Sequence, residues 1–331
     1  MRKHGLVDTW SLAGVGREVP GGGRFAAARR GRARHTDLAF GLEGLETRRL
    51  LALVSWDGGG DGSSWADPLN WSADVIPGIV DDVLIPGTPG GGALALSLAG
   101  MPSPVASLRA ERGVRLMEGG LEVAGDARFE KGLGVDVTAR LTAGLVRADG
   151  ALDGFVKIDG VLRAARIEID AGADGVVVVR GEIDASSERG TGGWVELLGR
   201  QVVLIDARVD ASGAMGGGTV LVGGDQEGRG HLRRAEAVYV NGASVINARA
   251  WVTGAGGRVV LWSDVFTGFF GTIIARGGGA GGDGGFVETS SVGALTRPRA
   301  TARRGRGCWI RGISPSPPAG TTTSPSAGPT P

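Results

Sequence analysis

Short runs of alternating aliphatic and charged residues recur through the middle of the chain. Ile167, Ile169 and Ala171 alternate with Glu168 and Asp170, and Val135 and Val137 flank Asp136. Successive residues of an extended strand point to opposite faces, so this pattern predicts strands with aliphatic side chains inside and acids outside. Val176-Val177-Val178-Val179 is apolar at every position, as expected of a more deeply buried strand. No apolar stretch reaches the ~18 residues of a membrane-spanning helix, so no transmembrane segment is expected.

A longer period is laid over the short one. An apolar residue, a small or polar one and Ala are followed some residues later by Gly-Gly-x-Val: Ile183-Asp184-Ala185 with Gly192-Gly193-Trp194-Val195, Val209-Asp210-Ala211 with Gly217-Gly218-Thr219-Val220, Ile246-Asn247-Ala248 with Gly256-Gly257-Arg258-Val259, and Ile273-Ile274-Ala275 with Gly284-Gly285-Phe286-Val287. The Gly-Gly pairs lie 25, 39 and 28 residues apart, longer than the spacing of a β-meander and typical of a solenoid. This favours a solenoid over a β-sandwich. The glycine pairs are expected to serve corners that need positive backbone dihedrals, and Asn241-Gly242 reads as a further turn. Asp184, Asp210, Asn247 and Arg258 are representative outward positions of these repeats.

Proline placement sharpens the picture. The chain has 14 prolines, yet none between Pro104 and Pro298. Each strand of a stacked coil has neighbours on both sides, so a residue without an N–H would forfeit a ladder hydrogen bond. The expected organisation is therefore a basic disordered leader (1–54), a Trp-containing cap segment (55–89) around Trp56, Trp65 and Trp71, a parallel β-helix body (90–290) and a disordered Arg/Pro-rich tail (291–331). The fold class is all-β.

Composition points the same way. With 63 glycines and 5% aromatic residues in 331, the chain is unlike a compact enzyme. The formal net charge is +1, which does not favour a polyanion partner, and no nucleic acid is expected. Cys308 is the single cysteine, so no internal disulfide and no cysteine-based metal site can form.

Gly217-Gly218-Thr219-Val220-Leu221-Val222-Gly223-Gly224-Asp225 resembles a passage of the filamentous-haemagglutinin-like family of large bacterial surface proteins. So do Tyr239-Val240-Asn241-Gly242-Ala243-Ser244-Val245-Ile246-Asn247-Ala248, Gly257-Arg258-Val259-Val260-Leu261-Trp262-Ser263-Asp264 and the run from Gly281 to Ser290. The resemblance implies a right-handed parallel β-helix, export, and adhesion or a surface-filament role. Its implied partners are secretion machinery and cell-surface glycans or proteins of host or neighbouring cells; its implied location is extracellular, at the cell surface or envelope. Leu45-Glu46-Thr47-Arg48-Arg49-Leu50-Leu51 resembles a Leu-Glu-x-Arg-x-Leu-Leu leader motif of large exported bacterial proteins. The Asn-Pro-rich motif of the family's amino-terminal secretion domain is not visible here.

Sites of chemistry are scarce. His4, His35 and His231 are the only histidines, and His231 beside Arg233 and Arg234 reads as a solvated loop residue. Gly58-Gly59-Gly60-Asp61-Gly62 and Gly281-Gly282-Asp283-Gly284 are similar to calcium-binding turns but lack the stacked register that such sites share. Asp206, Arg208 and Asp210 lie at period two, which places them on one outward face as a conceivable charged patch for a polysaccharide lyase. No catalytic, cofactor-binding or metal-ligating residue and no cofactor is assigned, and the chain is expected not to be an enzyme. The alternatives are a lyase-like β-helix enzyme or a non-functional gene remnant.

The tail has two readings. After Ser291 come six Arg, seven Pro and no acidic residue, as in a natural low-complexity tail. Alternatively, a frameshift near residues 291–300 replaces the native continuation: read one base out of register, residues 307–315 accommodate Leu-Leu-Asp-Pro-Arg-Asp-Ile-Thr, similar to the continuation of longer relatives. Sequencing the gene from the Gly284 codon past the stop decides between them. Further glycine-cornered repeats in a neighbouring frame are expected under the frameshift reading, and their absence would remove it.

Overall fold

The computed structural model describes residues 52–100, 104–296 and 309–311, and these fall in the unit Arg49–Pro331. Neighbours along the chain are not neighbours in the sheets. Each strand pairs in parallel with one a full coil away, so the fold is a parallel β-helix. Sheet A runs from Leu53–Ser55 through Asp82–Ile85, Ser107–Ala110, Asp126–Phe129, 145–148, 166–170, Trp194–Leu198, Thr219–Val222, 258–263 and Phe286–Ser291 to Trp309–Arg311. Sheet B stacks 94–96, 114–116, 133–135, Phe155–Ile158, Val176–Val179, Gln201–Leu204, 237–240, 266–269 and Ala294–Thr296. Sheet C stacks 97–98, 118–122, 138–142, 161–164, Glu182–Asp184, Arg208–Asp210, Val245–Asn247 and Thr272–Ile274.

The coils vary in length. Leu108 pairs with Ala127 and Ala127 with Val146, 19 residues on each time, so the coils from Leu108 to Val146 are shorter than those carrying the Gly-Gly phrase. They escape the repeat pattern because they lack the loop that the phrase closes. Inside, one column of sheet A runs in register from Val83 through Ile167 to Val287, and none of its members is more than 3% exposed. Each such aliphatic side chain contributes roughly 1.5–3 kcal/mol of burial. Ile167, Ile169 and Ala171 point inward as expected, as do Val177 and Val179.

Val137 departs from the expectation at 76% exposed. The ladder passes from Leu116↔Val135 to Glu118↔Thr138, so Asp136 and Val137 fill an irregular corner between sheets B and C. The alternation breaks there, and only Val135 is inward.

The Gly-Gly pairs also act differently from the expectation. None of Gly192, Gly193, Gly217, Gly218, Gly256, Gly257, Gly284 and Gly285 has a positive φ. Gly192, Gly193, Gly217, Gly218, Gly256, Gly257 and Gly285 are glycine for want of space: a Cβ on Gly192 would overlap the Ala211 carbonyl, one on Gly218 that of Gly193, and one on Gly257 that of Gly218. The second glycine of each pair donates its N–H to the Ala of the same phrase, Gly193 to Ala185 (2.7 Å), Gly218 to Ala211 (2.7 Å), Gly257 to Ala248 (2.6 Å) and Gly285 to Ala275 (2.7 Å). Those alanines are at most 5% exposed. The phrase is thus a clasp that closes a loop between sheet C and sheet A. Asn241-Gly242 does form a turn, with the Asn241 side-chain carbonyl accepting from the Ser244 N–H at 3.1 Å.

The three tryptophans sit in the first described coil. Trp56 and Trp65 each pack edge-on against Trp71, at 4.9 and 4.7 Å between centroids, and the Trp71 Nε1–H donates to the Trp65 carbonyl at 2.8 Å. Ser63–Trp65 stack on sheet C, the Trp65 N–H donating to Ser97 O at 2.9 Å. The ladder therefore reaches beyond the expected 90–290 body on both sides. Its sheet A rungs begin at Leu53–Ser55, so the Trp segment is an insertion between two rungs, and Trp309–Arg311 pairs with Phe286–Ser291. Most of the expected leader and tail lies outside the described residues.

Replacing Gly218 by Ala should destabilise the fold by about 1–3 kcal/mol, because the new methyl meets backbone that cannot yield. Gly120→Ala, which meets nothing within 4 Å, should stay within about 0.5 kcal/mol. Urea titrations of both variants check this pair.

Candidate surface site

The outward side of sheet A carries the densest polar chemistry. In-register stacking lines up Arg147, Glu168 and Glu196 in one row and Arg166 and Trp194 in the next. Arg147 bridges Asp149 (2.9 Å) and Glu168 (3.7 Å). Arg166 pairs with Glu168 at 2.5 Å and lies 5.1 Å from the centroid of the Trp194 ring. Such exposed pairs are worth little singly; as a network they neutralise one another.

Over the later coils the same face turns apolar. Leu221, Val260 and Trp262 point outward yet are buried, packed with Trp194, Leu232 and Phe286. Residues 223–234, the insertion that produces the 39-residue spacing, cross them as a strap. The contacts that hold it include Asp225 to Arg258 (2.6 Å), the Glu227 N–H to the buried Glu288 carboxylate (3.1 Å), Arg233 to Asp170 (2.8 Å) and Arg234 to Asp264 (3.2 Å). Gly228, at φ +62, lies against the Trp262 ring where a Cβ would clash. The sequence signal for the strap was the long spacing together with apolar residues at positions of outward phase.

Where the strap ends, a cleft of about 290 Å³ opens, lined by Glu168, Glu196, Leu198, His231, Leu232 and Arg233 among others. Burial pushes the Glu196 carboxyl above its ordinary value, and the neighbouring Glu168 adds to this; the Trp194 N–H, at 3.3 Å, acts in the opposite direction. Glu196 has no ion pair among the described residues. His231 is exposed at the rim, and its neighbours Arg233 and Arg234 are the strap's anchors.

The residues expected on outward faces are less free than the alternation implies. Asp184 is 6% exposed and Asn247 9%, because the loops after sheet C fold back over it, bridged through Ser187, Gly213 and Ala250. Asp184, Asp210 and Asn247 stack in register, each side chain accepting from the N–H two residues on, at 2.9, 2.8 and 3.3 Å. Asn247 also donates to Asp210 at 2.9 Å. Burial alone would push the Asp184 carboxyl up; the Ser186 bonds and the Arg163 guanidinium, 2.6 Å away, outweigh it and hold the carboxyl below its ordinary value. Arg258 is a strap anchor.

Asp206, Arg208 and Asp210 do not share one face. Asp206 is a turn residue at φ +54 whose carboxylate accepts from the Asn241 amide at 2.7 Å, whereas Arg208 and Asp210 are on the strand. The Asp61 loop is a turn: its Oδ1 accepts from Ser63 N (2.8 Å), Ser64 N (2.7 Å) and Asn70 Nδ2 (2.8 Å). The Ser64 and Ser63 N–H groups, with Asn70, lower its carboxyl to about 2. Among the described residues no group of three His, Cys, Asp or Glu side chains is close enough to hold a metal ion, and no helix is long and apolar enough to cross a membrane. His4, His35, Cys308 and the leader motif lie outside the described residues.

These features define a parallel β-helix whose outer surface is cross-linked by its own side chains. No family model matches the chain, and no curated protein matches it. Among solved structures it is similar to the HMW1 secretion domain from Haemophilus influenzae, with 20% identity and a TM-score of 0.38 over 70% of this chain and 65% of that one. The chain thus spans about two thirds of that structure's length, and the fold assignment rests on the strand pairing itself.

A carboxyl raised by folding destabilises the fold once it ionises. Glu196→Gln should therefore raise the melting temperature at neutral pH, and the gain should vanish as pH falls below the ordinary value of 4.5, where both states are protonated. Thermal melts of the two proteins across that range check the sign.

Proposed function

We propose that the chain is part of an exported, non-enzymatic cell-surface adhesin or structural scaffold. The observation that carries the reading is the stacking of outward side chains coil upon coil, with in-register pairs such as Arg147–Glu168 and Asp210–Asn247 satisfied within the protein. Such a surface is rigid and repetitive, suited to many weak contacts that add through multivalency. The resemblance of residues 190–290 to filamentous-haemagglutinin-like proteins supports export and adhesion, with glycans or proteins of other cells as partners and secretion machinery as the route. On this reading Glu196, Trp194 and the strap are structural.

A second reading has one observation in its favour. Glu168 and Glu196 are in-register neighbours on a cleft, and a pair of carboxyls facing one space is what glycoside cleavage requires. A polysaccharide-active β-helix enzyme would then release sugar products.

The full chain coupled to beads should bind members of a glycan and cell panel more tightly than the free chain does, without releasing reducing sugar. No binding across the panel would remove the adhesin reading. Product release abolished by Glu196→Gln would establish the enzyme reading instead.

A further inference from the structure

The cations of the early coils are not all matched. The chain has three lysines. Two of them, Lys131 and Lys157, are exposed and line one groove at the corner between sheet A and sheet B. The groove consists of two hollows of about 250 and 310 Å³ that share Ala93, Leu152 and Asp153. Missing side chains open it. In the second hollow Gly134 stands between Arg115 and Lys157 in one outward row, so the two cations flank a gap two strand spacings wide, roughly 10 Å. In the first, Arg112 and Lys131 each precede the paired Val114 and Leu133 by two residues, which sets them on neighbouring coils.

Pairing leaves a local surplus of positive charge. Glu111 is bridged to Arg109 (3.4 Å), Asp136 to Arg115 (2.8 Å) and Asp159 to Arg180 (3.4 Å). Arg112 gives one N–H to the Gly92 carbonyl (2.8 Å) and meets no carboxylate among the described residues. Lys131 and Lys157 have no ion pair there either, and the Lys157 ammonium lies 4.9 Å from the centroid of the Phe155 ring. Asp153, exposed in a turn at φ +49, is the one acid lining these hollows without an ion pair among the described residues. Leu152 and Phe155, the latter 39% exposed, supply an apolar strip in the same groove.

We propose that the groove binds an acidic oligosaccharide whose sugar units carry carboxylates. Lys131, Lys157 and Arg112 pair with the carboxylates, and Asp153 accepts from sugar hydroxyls. The C–H faces of the rings lie on Leu152 and Phe155, so that a few polar groups orient a ligand held on an apolar lining. A neutral glycan would leave three cations without a partner. A polyphosphate would meet the Asp153 carboxylate with no hydroxyl to offer it. The formal charge of +1 belongs to the whole chain and does not report this local surplus. The proposal deepens the adhesin reading and rests on it only for a glycan as the partner.

Isothermal titration calorimetry of the full chain with an oligogalacturonate in calcium-free buffer tests it. The comparisons are the methyl ester of the same oligomer, inorganic polyphosphate, the double variant Lys131→Gln with Lys157→Gln, and Arg208→Gln at an exposed position of sheet C. The parent should bind the oligogalacturonate. The double variant and the methyl ester should each weaken binding by at least about tenfold, because both remove charge-assisted bonds, and Arg208→Gln should leave it unchanged. No binding by the parent overturns the proposal. So does binding that survives loss of both lysines or falls equally with Arg208→Gln, and so does polyphosphate bound as tightly as the oligogalacturonate. Circular dichroism confirms that the variants are folded; if the double variant is not, the methyl ester on the parent carries the test. Failure here while other glycans or cells of the panel bind removes the groove proposal and leaves the adhesin reading, whereas oligogalacturonate bound with no cell bound does the opposite.

Discussion

At the corner between sheet C and sheet A the backbone of one coil comes so close to the next that a Cβ on Gly192, Gly218 or Gly257 would overlap a carbonyl, and the stacking of the coils depends on that approach. In the short coils the corner is an Ala-Gly step, with the Gly125 N–H donating to Ala106 O at 2.9 Å and the Gly144 N–H to Gly125 O at 2.8 Å. In the later coils the Ala and the glycine are parted by a loop and rejoined by the Ala···Gly hydrogen bond. The corner geometry survives because no Cβ intrudes. Side chains there would push successive coils apart and break three parallel ladders together, since each coil contributes a strand to every sheet.

Once that corner is preserved, loop length becomes nearly free. A loop closed by the clasp adds residues outside the ladder without altering register, and the entropy of closing a loop grows slowly with its length. The coils range from 19 residues upward for this reason. The loops after sheet C stack on one another, and those after sheet A reach their extreme in the strap. Both kinds bury outward positions that alternation alone would leave in water, Asp184 and Asn247 in one case and Leu221, Val260 and Trp262 in the other.

Parallel stacking in register also governs the electrostatics. A residue's nearest outward neighbours are one coil above and below, so like charges in register repel and mixed rows attract. Arg147 meets Glu168 and Arg163 meets Asp184 in mixed rows, whereas Arg109, Arg128 and Arg147 follow one another in a single row. Acids also meet in register, Asp149 with Asp170, Asp184 with Asp210 and Glu168 with Glu196; at the last pair burial, with the neighbouring Glu168 adding to it, raises the Glu196 carboxyl. Sheet B resolves the same problem by carrying few charges in its later coils.

Period-two alternation, the recurring Gly-Gly phrase and the proline-free stretch were enough to read a parallel β-helix from the sequence, because each reports a constraint local to one strand or one corner. Ile167 and Ile169 point inward because nothing interrupts their strand. Val137 escapes the pattern because the bend between sheets B and C lies beside it. The glycines were visible, but their reason was not: a positive φ is a property of one residue, whereas the overlap at Gly218 involves Gly193, 25 positions earlier. Likewise the sequence placed Asp184, Asp210 and Asn247 at equivalent points of the repeat. Only the tertiary structure decided that all three are bonded and that Asp184 and Asn247 are buried, since burial depends on where the loops that follow them fold.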